Sequence, residues 1–309
     1  MHTSVRRALL FLFISMAVVA ADAVPLPNTG LQVRKLTHNS YSRPYMIYRP
    51  ADLPPHPAVV FMLGGIRSTP QYVAHDFNWD GLADRCHFLV VYPDPVQTDT
   101  TKPKNRQENI TFWEMRGSRT HILAPGSKPV DDNGYLLAVL SDVFRRDHPD
   151  RHRVFFAGFS SGSGMVQLFA SLHPRIVSGI VAVATPLMDP PARLAQPIPV
   201  LYIHGDNDEQ FSGFETHSPH FATTPHGNWV TWGYLDGCHK QTAEKTDWGV
   251  RFSWRECKDD VSVRAYFVRD LGHEWPGTLD SHWNQEFHHS HPLNFTVMAW
   301  DFFASIHPR

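Results

Sequence analysis

The sequence has little net charge, few cysteines and, past its N-terminus, no long apolar run. It holds 28 Lys and Arg against 30 Asp and Glu, a formal charge of -2. Such a balance creates no strong field of either sign, which argues against nucleic acid and anionic membranes as partners. Charged residues are only 19% of the chain, whereas 25 residues are proline, a composition that suits a loop-rich extracellular protein. No segment downstream of the N-terminal run is long and apolar enough to cross a bilayer. Neither an internal repeat nor a low-complexity linker divides the chain, so the mature part reads as one domain.

What is present begins with a leader. Arg6 and Arg7 precede an apolar run over 8–19, and Ala21-Asp22-Ala23 follows it. This is the pattern of a secretory signal peptide over 1–23, with the mature domain over 24–309. Export makes disulfides possible. Cys238 and Cys257 lie close in sequence around a polar stretch and are expected to pair. A bridge of this span contributes about 3 kcal/mol in the loop-entropy account. Cys86 precedes the apolar run 88–91 and is expected to be a buried free thiol. Asn109-Ile110-Thr111 and Asn294-Phe295-Thr296 are glycosylation sequons, although Asn294 also stands where a helix N-cap is expected.

Apolar, β-rich runs recur at 45–48, 58–62, 88–92, 154–157, 179–184, 200–204 and 263–268. Several are apolar throughout, as expected of strands covered on both faces. Helical spacing appears at 79–85, 133–148, 162–173 and 295–306. The alternation predicts an α/β fold with a mostly parallel sheet and helices on both faces. Two longer stretches, 93–130 and 209–260, read as irregular. The second is taken as an ordered wall over a site, stapled by the expected disulfide.

The strand at 154–157 runs into Gly158-Phe159-Ser160-Ser161-Gly162, and a helix follows. A serine at the apex of so sharp a strand-to-helix turn is pushed out of the fold as a nucleophile. It needs a base, and the base needs an acid to orient it. With this motif the partners follow in the order Ser, Asp or Glu, His, each after a later strand. The strand at 200–204 leads to Gly205-Asp206-Asn207-Asp208, and the strand at 263–268 leads to Gly272-His273. Asp206 and Asp208 both qualify as the acid. His273 follows a strand, whereas the rival His239 sits inside a loop. His204, at a strand end, reads as a core or supporting histidine. An oxyanion would be held by the amide of Ser161 and by one from the loop Leu63-Gly64-Gly65-Ile66, with Gly65 as the candidate. His288, His289 and His291 lack a fixed ligand geometry with carboxylates or thiolates, so no metal is expected there.

These motifs together resemble the secreted esterases that group feruloyl esterases with polyhydroxybutyrate depolymerase catalytic domains, of the α/β-hydrolase type. The matching pieces run in order through nearly all of the mature chain. Arg43-Pro44-Tyr45-Met46 is similar to the opening strand, and Trp79-Asp80-Gly81-Leu82 leads to Tyr92-Pro93-Asp94. Val130-Asp131-Asp132 is similar to the helix start before the nucleophile strand. His204-Gly205-Asp206-Asn207-Asp208 resembles an H-G-x-x-D motif, which selects Asp208 as the acid. Gly272-His273-Glu274-Trp275-Pro276-Gly277 resembles G-H-x-W-P-G, the most specific piece. Asp236-Gly237-Cys238 with Cys257 resembles the family's disulfide pair. The chain departs from the pattern at Leu63-Gly64-Gly65, where the family has His-Gly-Cys or a similar run. It departs again at Ser163-Gly164, where the family has Gly-Gly.

The resemblance implies a secreted serine carboxylesterase with Ser160, His273 and Asp208 as its triad and no metal or organic cofactor. The expected substrates are hydroxycinnamate or plant cell-wall esters, with polyhydroxybutyrate or other hydroxyalkanoates as the alternative. Trp113, Trp229, Trp232 and Trp275 are candidates to wall a slot for a flat phenolic acid, with core packing as the other reading. The sequence continues little beyond the helix at 295–306, so a separate polyester-binding domain is not expected. Two other classes share the scaffold. A peptidase of the prolyl oligopeptidase type carries a large propeller that is missing here. A non-catalytic binding protein is expected to have lost a triad member, and all three are present.

Overall fold

The computed structural model describes residues 30–104, 108–115, 124–127, 130–208, 227–278 and 293–308, with side chains from Val230 onward in the fifth stretch. Seven strands lie where the apolar runs predict them. They are β4 (Tyr45–Arg49), β5 (Val59–Leu63), β6 (Leu89–Pro93), β9 (Val154–Phe159), β10 (Gly179–Val183), β11 (Val200–Gly205) and β14 (Val263–Val268). Three more, β1 (Gly30–Arg34), β12 (Lys240–Thr246) and β13 (Gly249–Arg255), complete a ten-stranded sheet. Its order is β1-β4-β6-β5-β9-β10-β11-β14-β13-β12. The central strands from β6 to β14 are parallel to their neighbours, and both flanks are antiparallel. Small ribbons, β2 (Thr37–His38) with β3 (Tyr41–Ser42) and β7 (Val96–Gln97) with β8 (Thr111–Phe112), lie outside the sheet.

Every residue of β5, β6, β10 and β11 is buried. Strand periodicity explains why: successive side chains enter opposite layers. Val60 and Met62 of β5 join a cluster with α1 (Pro70–Asp76), α2 (Trp79–Cys86) and α6 (Phe295–Ala304). Val59, Phe61 and Leu63 face the other cluster, with α3 (Asp132–Asp147), α4 (Ser161–Leu172) and α5 (Gly227–Leu235). Helices therefore cover both faces, as predicted. The helix starts are locally encoded. Thr69 caps α1, which has Pro70 at its first position, Asp131 caps α3, and Asn294 caps α6 through the Val297 amide at 3.2 Å. Among the described residues no helix is long and apolar enough to cross a membrane.

Three expectations change. The described part of 209–260 is not irregular: it holds α5 and the hairpin β12–β13, which extends the sheet. Lys240–Thr246 is exposed along nearly its whole length, so it has no apolar alternation to read. Its charges guard a sheet edge. The bridge Cys238–Cys257 forms as expected and closes the base of that hairpin. Cys86 is a free thiol but half-buried at the rim of a core cluster rather than fully buried. The Asn109 sequon is structural. Its side chain is buried, accepts from the Asp99 amide at 2.8 Å and donates to the carbonyls of Asp99, Lys102 and Pro103. A glycan on that nitrogen would displace these bonds and the turn they hold.

Candidate active site

Ser160 sits at the junction of β9 and α4 with φ 52° and ψ -124°. An L-residue in such a conformation costs of order 1–3 kcal/mol and persists only where its surroundings enforce it. The two flanking glycines make the turn possible by close approach rather than by unusual dihedrals. A Cβ at Gly158 would lie 2.4 Å from the Gly162 carbonyl oxygen, and one at Gly162 would lie 2.2 Å from that of Leu63. The loop after β5 thus packs backbone to backbone against the serine turn. A Cβ at Gly65 would meet Ser160 Cβ at 2.9 Å. Ser161 opens α4, and the first amides of a helix have no intrahelical acceptor.

The three residues that the resemblance implies as a triad come together. His273 Nε2 is 2.9 Å from Ser160 Oγ, and His273 Nδ1 is 2.9 Å from Asp208 Oδ2. The Asp208 side chain is fully buried and that of His273 nearly so. The Phe159 ring lies 5.1 Å from the His273 ring. Asp206 does something else, accepting the Asp270 amide on its Oδ1 at 2.7 Å. With the Asp206 amide on the Val268 carbonyl and the Asn207 amide on the Leu271 carbonyl, it ties the acid loop to the base loop. His239 lies at the mouth of the β12–β13 hairpin, where its amide bonds the Arg255 carbonyl. His204 is buried beneath the site, 3.0 Å from the Tyr202 hydroxyl and stacked on Phe267. Burial lowers its pKa, against the opposing pull of Asp208, which favours a neutral supporting histidine.

Three of the four candidate tryptophans are core residues, the other reading the sequence offered. Trp113, Trp232 and Trp275 are closed to solvent. The Trp232 indole donates to Gln167 Oε1 and the Trp275 indole to Thr296 Oγ1. Trp275 also stacks on Phe77 at 5.1 Å, and Phe77 in turn meets Phe159 edge-on. The Trp113 indole donates to the Gly64 carbonyl. Large aromatic rings near a site are placed there by core packing, and sequence spacing does not tell the two uses apart. The Trp229 side chain lies outside the described residues, as do His288, His289 and His291. Among the described residues no three His, Cys, Asp or Glu side chains are grouped to hold a metal.

Sequence reasoning assigned no role to three charged residues that matter here. Arg43 and Asp132 form a buried ion pair at 2.7 Å behind the Trp113 segment. Glu274, next to His273, is buried, and its Oε1 has no hydrogen-bond partner among the described residues. Burial without a cation pushes its pKa up from 4.5 to about 7. The folded chain therefore keeps this proton to higher pH than the unfolded chain does. Its ionisation costs nothing below pH 4.5 and becomes destabilising as pH rises towards 7. After allowance for solvent screening the cost is on the order of 1–2 kcal/mol. Glu274→Gln is expected to remove it. Denaturant unfolding should show the variant gaining on the parent between pH 5 and pH 8, and a pH-independent difference would contradict this.

No protein-family model matches the chain. Among curated proteins it is similar to a bifunctional acetylxylan esterase/xylanase of Neocallimastix patriciarum, 22% identical over 243 residues. That match covers 76% of this chain, and the chain spans about a third, 31%, of that relative's length. Among solved structures it superposes on an acetyl xylan esterase from Aspergillus awamori with a TM-score of 0.54 at 15% identity, covering 82% of this chain and 97% of that one. A ferulic acid esterase superposes with a TM-score of 0.50 at 14% identity, covering 80% and 93%. The central parallel sheet with helices on both faces, shared with these neighbours, is an α/β-hydrolase fold.

Proposed function

We propose that this chain is a secreted serine carboxylesterase, a single catalytic domain acting on esters of plant cell-wall polysaccharides. The observation that carries the reading is the continuous chain from Ser160 Oγ through His273 to Asp208, with both contacts at 2.9 Å. Ser160 Oγ adds to the ester carbonyl carbon while its proton passes to His273 Nε2. The amides of Gly65 and Ser161 hold the oxyanion that forms. As the tetrahedral species collapses, the C–O bond to the alcohol breaks and His273 returns the proton to that oxygen. Water then enters by the same route, releasing the acid and restoring Ser160. Asp208 keeps Nδ1 protonated, so that Nε2 is the basic nitrogen. The route needs no cofactor. Export is supported by the N-terminal pattern over 1–23 and by the Cys238–Cys257 bridge.

The acyl group proposed is acetyl, ahead of hydroxycinnamoyl. The relative named for acetylxylan supports the first. Burial of Trp113, Trp232 and Trp275 takes away three of the four walls expected for the second. The test compares the purified full chain on acetylated xylan, methyl ferulate, a hydroxybutyrate oligomer and a peptide amide. Acetate release with the highest kcat/KM is expected. A preference for methyl ferulate would reinstate the hydroxycinnamate reading, and a preference for the oligomer would favour a polyester-degrading enzyme. Cleavage of the amide with no ester turnover would overturn the assignment altogether.

A further inference from the structure

The segment carrying Trp113 grips the loop after β5 at three points. The Trp113 indole N–H donates to the Gly64 carbonyl at 3.0 Å, the Arg67 amide to the Thr111 carbonyl at 2.9 Å, and the Thr111 hydroxyl to the Ser68 carbonyl at 2.9 Å. Trp113, Thr111 and Ser68 are all buried. The gripping segment is itself held from behind. The Glu114 amide donates to the Asp132 carboxylate at 2.5 Å, and Asp132 pairs with Arg43. Arg43 lies 3.6 Å over the Tyr135 ring and 5.9 Å from the centre of the Trp113 ring. Asp132 is the first residue of α3, where the helix dipole favours its negative charge.

Peptide geometry carries this grip to the nucleophile. A trans peptide is planar, with its carbonyl and its N–H on opposite sides, and the described chain contains no cis peptide. The Gly64 carbonyl and the Gly65 N–H belong to the same peptide unit. Aiming the carbonyl at Trp113 therefore aims the Gly65 N–H the other way. Between two glycines that unit has little steric resistance to rotation, because neither neighbour carries a Cβ. The indole supplies the restraint that side chains would supply elsewhere. Gly65 also lies against Ser160, so close that a Cβ on it would be 3.4 Å from Ser160 Oγ.

We propose that Trp113 is a positioning residue, seated by the Arg43–Asp132 pair, which holds the Gly65 amide in the orientation that receives the oxyanion. The proposal rests on the assignment of Gly65 and Ser161 as the oxyanion donors. Its consequence is specific to the transition state. A misaimed donor weakens the bond to a full oxyanion much more than the contact with a neutral ester carbonyl.

The test is steady-state hydrolysis of p-nitrophenyl acetate by the full chain carrying Trp113→Phe. This variant keeps a ring in the pocket and removes the donor. Active sites are counted with a phosphonate ester, so that kcat is expressed per competent serine. kcat is expected to fall about tenfold to a hundredfold, with KM changed by less than about threefold. Thr111→Val removes a second grip without changing side-chain volume much and is expected to lower kcat by about threefold to tenfold, with Thr111→Ser recovering most of the loss. If Trp113→Phe does not fold, the Thr111 pair decides. Parental kcat per active site in the folded variant, or a loss confined to KM, would overturn the positioning role. Survival of hydrolysis in Ser160→Ala would instead overturn the serine assignment, and this proposal with it.

Discussion

Ser160→Ala is expected to lower kcat/KM for p-nitrophenyl acetate by about ten-thousandfold or more, with thermal unfolding left near that of the parent chain. The size of the effect follows from what remains. Without Oγ there is no nucleophile at the apex of the turn, and His273 has only water to activate. The loop after β5 and the first amides of α4 still surround the substrate carbonyl. A residual rate above the uncatalysed one is therefore consistent with the proposal. Stability should hold because the alanine inherits the same strained φ of 52° and, among the described residues, loses one side-chain hydrogen bond, that with His273. Activity assays on active-site-titrated protein and calorimetry of both chains check the two halves of the prediction. Ester turnover close to that of the parent would remove Ser160 from the mechanism.

Asp208→Asn and Asp206→Asn are expected to separate sharply. The carboxylate of Asp208 is fully buried against His273 Nδ1, and it fixes the tautomer that leaves Nε2 free to accept the serine proton. An asparagine there presents an N–H to the ring and favours the wrong tautomer. A loss in kcat of about a thousandfold to ten-thousandfold is expected. Asp206, two residues earlier, accepts a backbone amide from Asp270 on the base loop. An asparagine oxygen accepts the same bond, so kcat should stay within about threefold of the parent. Parallel kcat measurements on both variants check this. Equal losses would mean that the acid is not assigned to Asp208, and the reverse order would assign it to Asp206.

The contrast between these aspartates shows how much of the site was legible. Strand order and the spacing after each strand brought both residues to the loop that meets the His273 loop, because a loop following a buried apolar strand is visible in the residue pattern. Spacing did not separate them. Adjacent loop positions differ only in where the backbone turns, and that turn is set by the bonds from Asp206 and Asn207 to the segment around Val268 and Leu271. The tryptophans show the opposite failure. Their size and position marked them as site residues, yet three are held in the core by partners as distant in sequence as Gln167, Thr296 and Gly64. The hairpin β12–β13 was missed because its outer strand is exposed on both faces, and a strand without a buried face has no alternation to read.

By itself the sequence determined the α/β class, the central strands, the sharp turn at Ser160 and the loops from which Asp208 and His273 emerge. Each is written in local chemistry: continuous apolar runs, glycines where backbones must touch, and loops that follow strands. Tertiary structure alone decided that Asn109 serves a turn, and it puts Asp208, which the resemblance already favoured over Asp206, against His273. It also decided that Trp113 faces the Gly64 carbonyl instead of a substrate. The reason is physical. A hydrogen bond is set by distances of a few tenths of an ångström between groups that the chain brings together only when the sheet and both helical layers are complete, and residue spacing carries no record of them.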